Sequence, residues 1–209
     1  VTNENVIRNQ FEIDEGDPFN EVLAKKSINN IKNLNFFKKV NSEILEGTSP
    51  KDKIINIQVE EKPTGELSAG AGVGTSGGTI SAGIKENNYL GKGLSVEAQI
   101  ILNEESAKGI FSVFNPNYNN TDKDVYFTAE SIETDRLTDF GYKTSKTGLS
   151  LGTNFEYYNN FKVGVGNSNY YEKIETSDSA SARQKLQKGN YWDSFVNLNL
   201  DYDTRNQKF

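Results

Sequence analysis

Residue types that could do chemistry are scarce in this sequence. Its 209 residues hold no histidine and no cysteine, which removes the usual zinc ligands, thiol nucleophiles, haem ligation and the Ser-His-Asp triad. Carboxylates, hydroxyls, lysine and tyrosine remain. Asp122 with Asp124, and Asp201 with Asp203, are spaced to share a calcium ion, but no EF-hand-like ligand ladder surrounds them and they read as solvated turn residues. Gly72 to Gly77, GVGTSG, matches the dinucleotide-binding spacing. That motif works at a strand-to-helix turn, and here the chain continues as GTISAGI, another strand. No catalytic constellation, metal site or cofactor site follows, so the reading is of a protein that is not an enzyme. With 29 acidic against 23 basic residues, a net charge of -6 and no basic run longer than two, nucleic acid is excluded as a partner.

The elements that would carry any other function divide at Pro63. Only 2 of the 18 glycines and none of the 10 tyrosines precede it, so residues 1–63 and 64–209 are expected as separate domains. The first reads as α+β in the order β-α-α-β-β. A strand is expected over Val6 to Ile13, then two short helices, the first capped by Asp17 with Pro18 at its first position. Ile28, Ile31 and Leu34 give the second helix an apolar face. Strands Lys38 to Leu45 and Lys53 to Glu60 close the domain around a turn at Ser49 to Lys53, with Ile55, Ile57 and Val59 covering the helices.

From Thr64 onward the period is two. Leu67, Ala69, Ala71 and Val73 alternate with Glu66, Ser68, Gly70 and Gly72, and the same alternation runs through Ile80 to Ile84, Leu94 to Leu102 and Leu149 to Tyr157. Further strands near Gly109 to Phe114, Val125 to Ile132, Phe161 to Tyr170 and Trp192 to Tyr202 bring the number to about eight. Such strands fit a soluble antiparallel sandwich or a membrane barrel. Segments of about nine to twelve residues, a Gly/Ser/Asn-rich polar face, connections that alternate in length and aromatic residues near strand ends favour the barrel. With no methionine, the chain is expected to be a piece of a longer protein.

VIRNQFEIDEGDPFN, SINNIKNLNFFKKV and INIQVEEKPTGELSAGAGVGT together resemble the last polypeptide-transport-associated (POTRA) domain and the first barrel strand of the BamA family of outer-membrane assembly factors. NNYLGKG at Asn87 to Gly93 and FNPNY at Phe114 to Tyr118 resemble two of the family's periplasmic turns, with Asn88, Tyr89, Leu90, Gly91, Gly93, Asn115, Pro116 and Tyr118 at the matching positions, and DYDTRN at Asp201 to Asn206 resembles a later strand end. Asn35 stands where the family usually has glycine, and asparagine is the next best residue for positive φ.

The resemblance implies a periplasmic POTRA domain followed by antiparallel transmembrane strands, about eight of a family total of sixteen, in the outer membrane of a Gram-negative bacterium. Its implied work is folding and inserting outer-membrane proteins, with those substrates, accessory assembly lipoproteins and the lipid bilayer as partners. The strand Glu66, Leu67, Ser68, Ala69, Gly70, Ala71, Gly72, Val73, Gly74, Thr75 is the expected weak lateral seam, and Lys62, Pro63, Thr64 and Gly65 the expected POTRA-barrel hinge. A related transporter that secretes a polypeptide through its lumen, and a soluble periplasmic binding module, are the competing readings.

Overall fold

The computed structural model describes residues 1–48, 52–74 and 77–204. The chain forms two compact units: residues 1–65 with 86–94, and residues 66–85 with the chain from Ser95 onward.

In the first unit, helices α1 (Glu4–Arg8) and α2 (Glu21–Asn33) precede a two-stranded antiparallel sheet, β1 (Phe37–Glu46) and β2 (Lys53–Glu61). The strand expected over Val6 to Ile13 is instead the short helix α1 and a turn. Val6, Ile7 and Phe11 reach the same apolar cluster from that helix and turn, although Val6 and Ile7, being adjacent, would face opposite sides of a strand. The two helices expected next are one. Asp17 and Pro18 lie in the turn before it, where the Asp14 N–H donates to Asp17 Oδ2. The cap is Asn20, whose side chain accepts from the N–H groups of Val22 and Leu23 and so satisfies two of the donors a helix start leaves open.

Ala24, Ser27, Ile28 and Ile31 form the buried face of α2. Ile31 is fully buried against Phe36 and Phe37, with Leu34, Val40, Ile57 and Val59 around them. Ser27 is buried without cost because its hydroxyl donates to Leu23 O and accepts from the Glu12 N–H, both at 2.9 Å. Asn35 takes φ 59°, as its place in the turn requires. Residues 49–51 of the expected β1–β2 turn lie outside the described residues.

The second unit is an eight-stranded meander in the order β10-β9-β8-β7-β6-β5-β4-β3. Its strands are β3 (Gly65–Gly74), β4 (Gly77–Tyr89), β5 (Leu94–Asn103), β6 (Ser106–Asn115), β7 (Lys123–Arg136), β8 (Tyr142–Tyr158), β9 (Phe161–Thr176) and β10 (Gly189–Tyr202). Among the described residues the sheet does not close on itself: β3 and β10 are its two edges. Short helices α3 (Leu137–Phe140) and α4 (Ala182–Leu186) sit in the β7–β8 and β9–β10 connections.

The two faces differ as the alternation demands. On the polar face Tyr126 lies over Gly152 and Gly166, and Tyr170 over Gly148, where a methyl group would collide with the rings. Lys146 stands 4.6 Å from the Tyr170 ring centroid, and Ser150 donates to the buried Ser168 at 2.9 Å. On the apolar face Leu149, Leu151, Trp192, Val196, Leu198 and Leu200 are all exposed.

The boundary of that apolar face slants across the sheet. Leu102 and Ala107 are paired and are the outermost apolar residues of β5 and β6, yet the residues in line with them on β7, β8 and β9 are Glu133, Ser145 and Lys173. The apolar run of β9 ends at Val165 and that of β10 at Val196. These limits lie about eight and six residues lower, roughly 20–26 Å along the strands against 19–24 Å across four or five strand spacings. The inner limit falls the same way, from Val125 on β7, in line with Val165, to Phe161 on β9. A slope of roughly 40–55° is close to the ~35–45° at which strands tilt in a membrane barrel, where a level apolar band must run obliquely across the ladder.

A candidate strand-pairing edge

The strand expected as a seam is the edge strand β3, with a neighbour on one side only among the described residues. Every residue of β3 is exposed. Leu67 and Val73, 84% and 93% accessible, mark its apolar face. On the other face the small residues divide into two kinds. A Cβ on Gly70 would meet Ser81 Oγ at 2.8 Å, and one on Gly83 of β4 would meet Ser68 Oγ at 2.8 Å. Each serine hydroxyl fills the place opposite a glycine on the neighbouring strand, so Gly70 belongs to the β3–β4 contact. Gly72 and Gly74 have open space where a side chain would be. Thr75, the last residue of the expected seam, lies outside the described residues.

The expected hinge is bonded at both ends. The Lys62 N–H donates to Phe36 O at 3.1 Å, and Thr64 O accepts from the Asn87 main chain at 3.3 Å and side chain at 3.2 Å. The Thr64 hydroxyl donates to Glu86. Pro63 and Gly65 complete the segment.

The turn after β4 is built by its own asparagine and glycines. Gly91 N donates to Asn88 O, Lys92 N to Tyr89 O and Gly93 N to Asn88 Oδ1, while Leu90, Gly91 and Gly93 take φ of 54°, 71° and 68°. The first unit also holds this turn against its N-terminal segment. Asn3 N donates to Gly91 O at 2.8 Å, Asn88 Nδ2 donates to Thr2 Oγ1 at 2.8 Å, and Val6 packs where a side chain on Gly93 would stand. Nothing in the turn's own residues announces this docking; two glycines around a lysine also suit an isolated turn.

The second turn is likewise asparagine-capped. Asn115 Oδ1 accepts from Asn117 N, and Asn117 Oδ1 from Asp122 N, both at 3.1 Å, with Pro116 and Tyr118 between and beside them. Asp122 is thus part of a turn. GVGTSG runs from β3 into β4 with residues 75–76 outside the described set, and the glycines at its start lie in an edge strand. In DYDTRN, Arg205 and Asn206 also lie outside it.

Sequence comparisons agree with this architecture. Residues 1–62 match a family model described as POTRA, surface antigen variable number repeat, and residues 88–209 match the Omp85 superfamily domain. The outer membrane protein assembly factor BamA of Nitratidesulfovibrio vulgaris is 26% identical over 213 residues, which is 99% of this chain and 26% of the relative. BamA of Neisseria meningitidis serogroup B is 26% identical over 133 residues, 63% of this chain and 16% of that protein. The chain therefore spans about a quarter or less of the curated relatives it matches.

Among solved structures, BamA from Haemophilus ducreyi lacking POTRA domains 1–3 superposes with a TM-score of 0.77 at 20% identity, over 100% of this chain and 43% of that one. CdiB from Acinetobacter baumannii does so with a TM-score of 0.53 at 12% identity, over 97% and 41%. The chain belongs to the Omp85 superfamily, as a POTRA domain of the periplasm joined to β-barrel strands of the outer membrane.

Proposed function

We propose that the protein containing this chain folds and inserts β-barrel proteins into the outer membrane, and that it does so without catalysis, by lending the edge of β3 to an incoming strand. A strand edge carries unpaired N–H and C=O groups that template a new strand by β-augmentation. In β3 the outward half of the polar face, Gly72 and Gly74, has no side chain to interlock with a permanent neighbour. A closing strand there is held by backbone bonds with little side-chain packing and can be exchanged. The open glycines at the sheet edge are the observation that carries this reading.

Lys62 to Gly65 act as the POTRA-barrel hinge. Outer-membrane protein substrates and accessory lipoproteins are the partners of the POTRA domain. Residues 64–209 contribute the first half of a barrel of about sixteen strands.

The test is disulfide trapping in the full-length protein. A cysteine at Gly72 should cross-link to a cysteine in the terminal strand of a client barrel during assembly, and Gly72→Val should slow assembly at unchanged protein level. No cross-link from any position between Glu66 and Gly74, together with wild-type assembly by the valine variant, would refute the seam. A polypeptide-secreting transporter is the second reading, favoured only by the likeness to CdiB. Steady single-channel conductance with normal client assembly after depletion would favour it instead.

A further inference from the structure

The apolar face of the second unit carries a trough of about 1100 Å³ that the seam does not use. Its floor is made of small residues, Ala98 on β5, Gly109 on β6 and Ala129 on β7, between the larger Ile100, Phe111 and Leu149. It spans two ladder rows: Ala98 pairs with Phe111 and Phe111 with Ala129 in one, while in the other Ile100 pairs with Gly109, Gly109 with Ser131, Ser131 with Thr147, Thr147 with Tyr171 and Tyr171 with Trp192. Because the apolar band slants, this second row lies within the band at β5 and β6 and beyond its outer limit at β9 and β10. One end of the trough is therefore at membrane depth and the other at the outer rim.

The chemistry changes along it in the same sense. At the rim, Ser131 and Thr147 share a hydrogen bond of 2.8 Å, and Ser194 donates to Asn169 Oδ1 at 2.7 Å. Asn169 also donates to Asn167. Beside them stand Tyr171 and Trp192, ring centroids 6.4 Å apart and 47% and 69% accessible. These amides and hydroxyls both donate and accept, which suits hydroxyl groups, and the aromatic faces suit the C–H side of a sugar ring. A phosphate would call for an excess of cations, whereas the lysines above this end are matched by carboxylates, Lys143 with Glu133 and Asp135, Lys173 with Glu175, and Lys188 near Glu175.

We propose that this trough binds one outer-leaflet glycolipid, its acyl chain lying over Ala98, Gly109 and Ala129 and its uncharged sugar head against Thr147, Asn169 and Ser194 beside Trp192. The amphipathic match between floor and rim identifies the occupant, and the site does not depend on how β3 works.

Native mass spectrometry of the full-length protein tests it, with galactosyl diacylglycerol and phosphatidylglycerol of identical chains as probes. The wild type should keep one galactolipid through detergent release. Gly109→Phe fills the floor from a position with nothing within 4 Å of its Cβ, and N169A/W192A strips the head site; each should lower retention at least about five-fold. Heat-modifiable migration reports whether the barrel is folded, and if the double variant misfolds, Gly109→Phe decides alone. Undiminished retention by a folded variant, or equal retention of phosphatidylglycerol, overturns the proposal.

Discussion

Gly70 and Gly72 occupy equivalent places in the alternation of β3, and sequence alone assigns both to an under-packed inner face. The structure separates them, because a side chain opposite Gly70 already exists, the Ser81 hydroxyl. Gly70→Val should therefore disturb the β3–β4 pair and cost about 1–3 kcal/mol, as overpacking does, read as a lower urea midpoint of barrel unfolding. Gly72→Val meets open space and should leave that midpoint within about 0.5 kcal/mol while slowing client assembly. The reverse order of midpoints would mean that the serine–glycine fit is not what holds β3. A second residue-scale consequence concerns Glu61. Its carboxyl is held below the ordinary carboxylate range first by the Thr2 N–H and then by the Thr2 side chain. A depressed carboxylate pKa stabilises the folded state above the unfolded value and loses that contribution as pH falls through the folded one. Amide exchange at residues 1–8, corrected for intrinsic rate, should accelerate as pH drops below about 4 and become insensitive to that drop in Glu61→Gln.

At the level of elements, what was legible followed from periodicity over long stretches. The eight strands of the second unit and the buried face of α2 each repeat their pattern several times, so tertiary context had only to accept them. The N-terminal segment offers no such repetition. Five residues of helix complete little more than one turn, too few to repeat a helical pattern. The docking of the β4–β5 turn on that segment escaped for a different reason: it joins residues far apart in the chain through main-chain atoms, Asn3 N to Gly91 O, which no side-chain pattern encodes. Gly91 is where this contact is most exposed to test. Its φ of 71° and the Val1 carbonyl facing it make even alanine costly, by about 1–3 kcal/mol. Gly91→Ala should raise amide exchange across residues 1–8 and leave β1 and β2 protected, because Ile31 and the two phenylalanines anchor those strands independently. Protection unchanged at residues 1–8 would show the docking to be dispensable.

Across the whole sheet, the slope of the apolar band separates a membrane barrel from a soluble sandwich on which individual strands are silent. In a sandwich, the depth of a side chain follows packing against the opposing sheet, and nothing requires an oblique limit at barrel tilt. In a membrane barrel, depth is measured along the bilayer normal, and residues of one ladder row lie at different depths because the strands tilt. Leu102 and Ser145 make the comparison direct. They share a row through Ala107 and Glu133 and point to the same face. Leu102 is inside the apolar band and Ser145 outside it. Leu102→Arg places a charge within hydrocarbon, though near its outer limit, and Leu149→Arg does so deeper. Outward-facing arginine costs about 2–4 kcal/mol at the bilayer midplane and about 0–1 near the interface. The expected order of destabilisation in full-length protein folded into vesicles is therefore Leu149→Arg, then Leu102→Arg, then Ser145→Arg, the last within about 0.5 kcal/mol of wild type. Equal costs for Leu102→Arg and Ser145→Arg would mean that depth follows the ladder row, and the tilted band would then have to be abandoned as the sheet's relation to the membrane.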